Sequence, residues 1–285
     1  MAIIQWFPGH MAKAKREISE KVKMVDLIIE LKDARIPYSS TNPMIDEIVK
    51  DKPRLILLCK SSIADPLVTK KWMEYYKNKN ILSLDIDSIT NYNIKNVVPY
   101  CRLALKEVFE KRRAKGITNN QIKAIIMGIP NVGKSTIINT LAKRKAVAVG
   151  DKPGVTKSQT WIKITDDLML LDTPGILWPK FEDQEVGLKL AMCGSIKDEI
   201  LDLEEVCVKS LDYLKNEYPE LLKSRYNLDH LEEDPYLILE QIGQKRGCML
   251  KGGIIDTSRA CTIVMNELRS MKIGAMSYEK PEDRD

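Results

Sequence analysis

The chain has 285 residues, of which 44% are hydrophobic and 30% are charged, and its formal net charge is +5. This composition predicts a globular protein of about two domains and excludes collagen-like and disordered chains. No apolar run approaches the roughly 18 residues that a membrane-spanning helix needs, so we expect no membrane association. The charge is uneven, because the first 180 residues carry +13 and the remainder carries −8. A basic surface of this size favours a polyanionic partner, and a solvated lysine-rich face is the alternative.

Strand-like apolar runs alternate with helical patterns through the first 180 residues. Such alternation predicts an α/β fold, with a mostly parallel sheet flanked by helices. The predicted strands are Val25–Leu31, Arg54–Cys59, Ile81–Leu84, Lys123–Gly128 and Leu168–Asp172, and a long helix is predicted over Ile94–Lys115. After Pro179 only helical patterns follow, at Val186–Leu190, Ile200–Leu214, Tyr236–Ile242 and Thr257–Leu268. We therefore predict two domains, 1–180 and a smaller all-helical 181–285, ending in a disordered tail over Lys280–Asp285.

The number and spacing of the cysteines bear on metal binding, disulfide formation and the redox compartment of the protein. Six cysteines are scattered without a Cys-x-x-Cys pair, and the chain has two histidines. This spacing predicts neither a zinc site nor a disulfide framework. We expect a reduced, cytoplasmic protein.

The segment Gly128–Ser135 fits the phosphate-loop pattern G-x-x-x-x-G-K-[ST] and lies between a predicted strand and a helix that starts at Lys134. Its glycines let backbone N–H groups turn toward phosphates, Lys134 reaches the β and γ phosphates, and the Ser135 hydroxyl is a ligand for Mg²⁺. The pattern predicts a P-loop nucleoside triphosphatase. The nucleotide-binding residues expected here are Asn131, Val132, Gly133, Lys134, Ser135 and Thr136.

Two segments downstream fit the same chemistry. Asp172-Thr-Pro-Gly175 ends a predicted strand, so Asp172 suits a contact to Mg²⁺ and the Gly175 N–H can approach a γ-phosphate. Thr156 lies where a switch loop would place a further metal or γ-phosphate contact. An ordinary turn is the alternative for either segment.

These motifs are similar to those of translation-factor-related GTPases, but their order is unusual. No guanine-reading Asn-Lys-x-Asp follows Gly175, and the best candidate is the upstream segment Cys59-Lys60-Ser61-Ser62. A second candidate base-contacting segment is Ser83-Leu84-Asp85. With Trp6–Met11, Asp33–Pro37, Asp172–Pro179 and Lys245–Cys248, the chain resembles, nearly end to end, the circularly permuted GTPases of the ribosome biogenesis GTPase A family, the YlqF type.

The resemblance implies a fold, an activity and a partner. It implies a circularly permuted GTP-binding domain, followed by a helical domain that contacts the ribosomal RNA of the large subunit. The activity implied is slow GTP hydrolysis, stimulated by the ribosome, in a monomeric factor that acts late in large-subunit maturation and is released on hydrolysis. RNA contact is expected at Lys245, Arg246 and Lys251, in a locally basic stretch of an acidic domain.

Catalytic roles are implied for three residues. Besides Lys134 they are His10, which could orient the attacking water, and Ile176, which would form part of an apolar gate because isoleucine cannot orient water by hydrogen bonding. Asn131 is similar to the asparagine that holds K⁺ in related potassium-dependent GTPases. A loop asparagine that bonds its own backbone is the alternative.

The guanine-reading segment departs from the family pattern. Cys59 and Ser62 stand where the family has asparagine and aspartate, and a serine hydroxyl does not reproduce a charged, two-pronged acceptor. Losing such a bond costs about 1.5–3 kcal/mol. Asp65 could compensate only by a different loop path. A P-loop ATPase and an RNA-binding scaffold with a weakened guanine site are therefore kept as alternatives.

Overall fold

The fold is built on a six-stranded sheet. The computed structural model describes residue 16 and residues 18–42, 48–49, 52–147, 161–171 and 183–284 of the chain. The strands are β1 (Leu27–Asp33), β2 (Arg54–Cys59), β3 (Leu82–Asp85), β4 (Ile122–Gly128), β5 (Trp161–Lys163) and β6 (Leu168–Leu171). They lie in the order β3-β2-β1-β4-β6-β5, and every neighbouring pair is parallel except β5 and β6. The predicted mostly parallel sheet is confirmed.

The central strands are buried on both faces. Every residue of β1 is buried, as are the last five residues of β2. Such continuous burial is expected where helices cover both faces of a parallel sheet. The charged side chains inside β1 are paired, since Glu30 bonds to Arg54 and lies 3.5 Å from the Lys32 ammonium. The buried central strands thus fix the starting positions of the loops at the carboxyl edge of the sheet.

The direction of the connections changes at β1. From β1 the chain proceeds to β2 and β3 on one side, and then returns to β4 on the other side of β1. Ligands of open α/β sheets bind outside the carboxyl ends of the strands where connections diverge in this way. The loops that follow β1, β2 and β4 meet at that edge.

Helices cover the sheet and make up the C-terminal half. In the sheet half they are α1 (Pro66–Asn78), α2 (Val97–Ala104), α3 (Lys106–Ala114) and α4 (Lys134–Ala142). In the C-terminal half they are α5 (Gln184–Met192), α6 (Leu203–Glu217), α7 (Pro219–Tyr226), α8 (Pro235–Lys245) and α9 (Thr257–Arg269). Helices α6, α8 and α9 pack together through buried apolar residues that include Leu211, Ile238 and Val264. The predicted helical C-terminal portion is confirmed. None of the helices in the described ranges is both long and apolar enough to cross a membrane.

The last residues return to the sheet half. The Tyr278 N–H donates to the Arg35 carbonyl at 2.8 Å, and the buried Glu279 carboxylate accepts from the Tyr38 N–H at 2.8 Å. Pro281–Arg284 form a 3₁₀ turn, and Glu282 pairs with Lys71 of α1 at 2.7 Å. The prediction of a disordered tail is therefore wrong for residues 280–284. The polar composition of this segment led us to expect a solvent-exposed, disordered chain, whereas Glu282 is paired with Lys71.

Candidate nucleotide-binding site

The phosphate loop is held against β1 by a close approach of backbones. Gly128 is the last residue of β4 and pairs with Leu31 of β1. A Cβ atom at Gly128 would lie 2.9 Å from Leu31 Cβ and 2.9 Å from Val132 Cγ1, so no larger residue fits without displacement. Val132 is itself buried. The first glycine of the motif is therefore required by packing.

The second glycine is required by conformation. Gly133 has φ +100°, and no atom of the described residues other than its immediate surroundings lies within 4 Å of the position that its Cβ would take, so the left-handed backbone favours glycine here. It immediately precedes α4, and no side chain of the described residues caps the first N–H groups of that helix. Uncapped N–H groups and the positive end of the helix dipole suit a phosphate. Lys134, Ser135 and Thr136 form the first turn of α4, as the sequence predicts.

The segment after β2 forms a tight loop at the same edge of the sheet. Lys60 has a left-handed backbone, with φ 59°, and Ser61–Ile63 form a 3₁₀ turn. The Ser61 N–H donates to the Ile86 carbonyl at 3.1 Å, which ties this loop to the one that follows β3. The Ser62 side chain is exposed, and its hydroxyl bonds to the Asp87 carboxylate. The loops after β2 and β3 are thus joined to each other at the carboxyl edge of the sheet.

A buried ion network lies beneath Lys60. The carboxylate of Asp33, at the end of β1, accepts bonds from Arg35 Nε and Nη2 at 2.9 and 2.8 Å, and the Lys60 ammonium lies 3.0 Å away. Burial alone would raise the pKa of Asp33, but these two cations lower it well below its usual range. Asp33 is fully buried and Arg35 nearly so. The network fixes the direction in which Lys60 leaves the sheet.

Asn131 connects the phosphate loop to the C-terminal half. It has a left-handed backbone, φ 60°, and its amide donates to the Gly194 carbonyl at 3.3 Å. Gly194 follows α5. The bond uses the amide nitrogen of Asn131 and leaves its oxygen as an acceptor.

Asp65 is placed differently from the alternative that the sequence left open. Its carboxylate caps α1 by accepting the N–H groups of Leu67 and Val68 at 2.8 and 3.2 Å. The other carboxylate oxygen accepts from the Tyr218 hydroxyl at 3.4 Å. Asp65 therefore serves as a helix cap, and it does not replace the aspartate that is missing at position 62.

Three other predicted base-site residues lie within strands. Cys59 ends β2 and is 2% exposed, and burial raises the pKa of its thiol above the usual range. Ser83 is buried in the middle of β3, opposite Ile56 of β2. Asp85 ends β3, and its carboxylate accepts from the Asn93 amide at 3.2 Å. The loop after β3 therefore begins beyond Ser83 and Asp85. It brings Asp87 to Ser62, and the sequence analysis did not predict Asp87 as a site residue.

Five predicted site residues lie outside the described residues. They are His10, Thr156, Asp172, Gly175 and Ile176. Their roles stay predictions. Leu171, the residue before Asp172, ends β6, which is the neighbour of β4 in the sheet.

The basic stretch of the C-terminal half contains two exposed lysines and one engaged arginine. Lys245 ends α8, and Lys251 lies in a short hairpin closed by the Met249–Ile255 bridge; both are exposed. Arg246 instead bonds to Glu267 of α9 at 3.2 Å and lies over the Tyr226 ring, 5.1 Å from its centre. Arg246 therefore has a structural role, and the two lysines present the accessible charge.

The described part of the chain contains no preformed cluster of metal ligands. Those residues contain no group of three or more His, Cys, Asp or Glu side chains that could hold an ion. All six cysteines are free and buried. The hydroxyl of Ser135, at the start of α4, is the hard oxygen donor that the described site offers, and Mg²⁺ in phosphate sites takes few protein ligands.

The fold and the site together define a P-loop nucleoside triphosphatase. Its base-side strands β2 and β3 precede the phosphate-binding strand β4 in the chain, which is the circularly permuted order. Residues 123–240 match the family model described as 50S ribosome-binding GTPase.

Full-length relatives identify the family. The chain is 51% identical to ribosome biogenesis GTPase A of Bacillus cereus over 281 residues, covering 99% of this chain and 95% of that protein. It is 30% identical to the protein of the same name from Thermotoga maritima, covering 98% and 95%. The GDP-bound structure of Thermotoga maritima YlqF superposes with a TM-score of 0.66 at 26% identity, covering 94% of this chain and all of that one. The chain belongs to the ribosome biogenesis GTPase A family, whose members are GTP hydrolases.

Proposed function

We propose that this chain is a GTP-dependent assembly factor of the large ribosomal subunit. In its GTP form it binds ribosomal RNA of an immature subunit late in maturation, and GTP hydrolysis releases it. It acts as a cytoplasmic monomer with slow intrinsic turnover that the ribosome stimulates. Two observations support the proposal. The phosphate loop follows β4, next to β1, where the direction of the strand connections changes, and the chain is 51% identical to ribosome biogenesis GTPase A of Bacillus cereus.

Each side of the site has a role in this proposal. The N–H groups of Gly133 and the first turn of α4 hold the phosphates, Lys134 neutralises their charge, and Lys60 and Ser62 face the base. Mg²⁺, when bound with the nucleotide, neutralises phosphate charge, and Ser135 would hold it together with Thr156 and Asp172. Asn131 would offer its amide oxygen to K⁺. His10 and Ile176 would orient and enclose the attacking water.

A competition titration tests the nucleotide class. We expect GTP and GDP to displace a fluorescent GDP analogue from the full-length protein, in KCl and Mg²⁺, at concentrations at least about ten-fold below those needed for ATP. The physical reason is the acceptor that the base-side loops present at Ser62. ATP displacement at an equal or lower concentration would contradict the guanine assignment and favour an ATPase. If the fluorescent GDP analogue itself does not bind, the result would favour the scaffold alternative.

The accessible lysines of the basic stretch give a second prediction, for RNA. Lys245→Glu with Lys251→Glu is expected to weaken binding to large-subunit particles. The slope of log affinity against log salt should fall by about one unit for each RNA phosphate that a lysine no longer neutralises. Binding is measured by sedimentation with purified subunits in the presence of a non-hydrolysable GTP analogue.

The matched control for the lysine variants is Lys70→Glu with Lys77→Glu, two exposed lysines of α1 with the same change in charge. Arg246 is left intact because its loss would disturb Glu267. Equal weakening by both double variants would indicate general charge attraction, and an unchanged salt slope would remove Lys245 and Lys251 from the interface.

A further inference from the structure

Ser62 and Asp87 form an exposed hydroxyl backed by a buried carboxylate. The Ser62 side chain is open to solvent, whereas Asp87 is 3% exposed. One Asp87 oxygen, Oδ1, accepts the N–H groups of Ile89 and Thr90 at 2.8 and 3.0 Å. The other, Oδ2, is bonded to the Ser62 hydroxyl. Ser62, Ile89 and Thr90 thus occupy most of the acceptor positions of the carboxylate within the protein.

These bonds fix the direction of the Ser62 proton. Burial would raise the pKa of Asp87, but the bonds from Ser62, Thr90 and Ile89 lower it below its usual range, so the carboxylate is ionised and can only accept. The single hydroxyl proton of Ser62 therefore points to Asp87. The exposed side of the Ser62 oxygen carries only lone pairs, and toward any ligand it is an acceptor.

Guanine and adenine differ in the hydrogen-bond donors and acceptors on their Watson–Crick edges. The Watson–Crick edge of guanine offers two donors, the N1–H and the 2-amino group. Adenine presents an acceptor at N1 and no polar group at C2. A hydroxyl free to rotate could serve either base, whereas one locked as an acceptor favours guanine and leaves adenine N1 facing a lone pair.

We infer that Asp87 locks the Ser62 hydroxyl as a hydrogen-bond acceptor for the donor edge of guanine, so that this pair takes the place of the single aspartate that position 62 lacks. Ser62 is the residue that touches the base, and Asp87 is a positioning residue behind it. The inference rests on the nucleotide site proposed above, and it adds a specificity device at that site.

Asp87→Asn reverses the direction of the hydrogen bond to Ser62 while it keeps the shape of the side chain at position 87. The asparagine is isosteric, and its oxygen retains the N–H groups of Ile89 and Thr90, so its amide nitrogen faces Ser62. The amide then donates to Ser62 and frees the hydroxyl proton to point at the base. We expect GDP to bind about ten-fold more weakly and ADP to bind unchanged or more tightly, as measured by competition against a fluorescent GDP analogue.

A double-mutant cycle tests whether Asp87 acts through Ser62. Ser62→Ala removes the acceptor from an exposed position without a packing cost and is expected to weaken GDP about ten-fold with ADP unchanged. Adding Asp87→Asn to Ser62→Ala should then change the GDP-to-ADP ratio by less than about two-fold. A purely structural role for Asp87 would lower GDP affinity equally in both backgrounds and would overturn the inference.

Exchange of the two residues gives an independent measurement. Ser62→Asp alone places two carboxylates against each other and should weaken GDP binding, whereas Ser62→Asp with Asp87→Ser should restore or exceed the original affinity. Failure of the exchange to improve on Ser62→Asp would overturn the inference. Circular dichroism melting of each variant establishes that it is folded.

The outcomes also separate this inference from the proposed nucleotide site. If the unchanged protein binds GDP and prefers it to ADP, but Asp87→Asn keeps that preference, only the Ser62–Asp87 inference fails. If the unchanged protein binds neither nucleotide, the site itself is wrong.

Discussion

Replacing Asp33 with alanine is expected to lower the free energy of unfolding by about 3–5 kcal/mol, the largest loss of stability that we predict for one side chain in the sheet half. Asp33 is the shared partner of Arg35 and Lys60, and the Arg35 side chain is only 3% exposed. Without the carboxylate, a buried guanidinium keeps its desolvation cost and loses its main compensating charge. Urea denaturation followed by circular dichroism measures the change.

Two controls make the Asp33 result specific. Asp167→Ala breaks the exposed pair of Asp167 with Arg102 and should cost less than about 1 kcal/mol. Asp33→Asn keeps the shape but removes the charge, so it should be destabilising as well. If Asp33→Ala costs no more than Asp167→Ala, the network contributes little to stability.

The same carboxylate predicts a dependence on pH. The pKa of Asp33 is lowered in the folded protein, so its stabilisation is complete above the unfolded value of about 4 and declines as the pH falls toward the folded value. The stability difference between the unchanged protein and Asp33→Asn should therefore shrink steadily from about pH 5 to pH 2. A difference that stays constant over this range would contradict the assigned protonation state.

Lys134→Ala is expected to have the largest effect on function. Lys134 begins α4, and in the proposed function its ammonium binds the β and γ phosphates through charge-assisted bonds, which are worth about 1.5–3 kcal/mol each. We expect GTP affinity to fall by about 100-fold or more and single-turnover hydrolysis to fall further. Fluorescent GTP analogue binding and rapid-quench hydrolysis measure the two quantities.

Lys143 provides the matched control, because it lies at the opposite end of the same helix. It is exposed and follows the last residue of α4. Lys143→Ala removes an equal charge about one helix length from the phosphates and should change GTP affinity by less than about two-fold. Similar losses for the two variants would mean that general charge, and not the position of Lys134, governs binding.

Much of the sheet could be predicted because buried parallel strands have a simple pattern. The bounds of β2 match the prediction, and β4 begins one residue earlier than predicted. β5 was missed because it has three residues and lies at an edge of the sheet. Helix α1 was missed although Asp65 and Pro66 are a recognisable helix start, since its buried face is mostly aromatic and polar rather than aliphatic. The predicted helix over 94–115 is broken at Leu105, and the break is hidden because the apolar spacing continues beyond it at the partly buried Val108 and Phe109.

The candidate site was predictable where chemistry resides in a local motif and not where it depends on contacts between distant residues. Residues 128–136 follow from spacing alone, because a phosphate loop is a continuous segment. The link between Ser62 and Asp87 joins positions 25 residues apart, and no local pattern reveals it. Likewise, the sequence shows Arg246 as one more basic residue, and only its position beside Glu267 and Tyr226 shows that it is occupied.

The return of the C-terminal segment has a consequence for how this chain can be divided. Met276 and Tyr278 bond to the loops that carry Ile63 and Arg35, and the Trp72 indole donates to the Glu279 carbonyl at 3.0 Å. The final residues thus complete the surface of the first half of the chain. A fragment ending near residue 180 would leave the Trp72 indole and the Tyr38 and Ser39 amides without these partners. The change in charge near that position is a change in composition, and the hydrogen bonds of residues 276–279 connect the two sides of it.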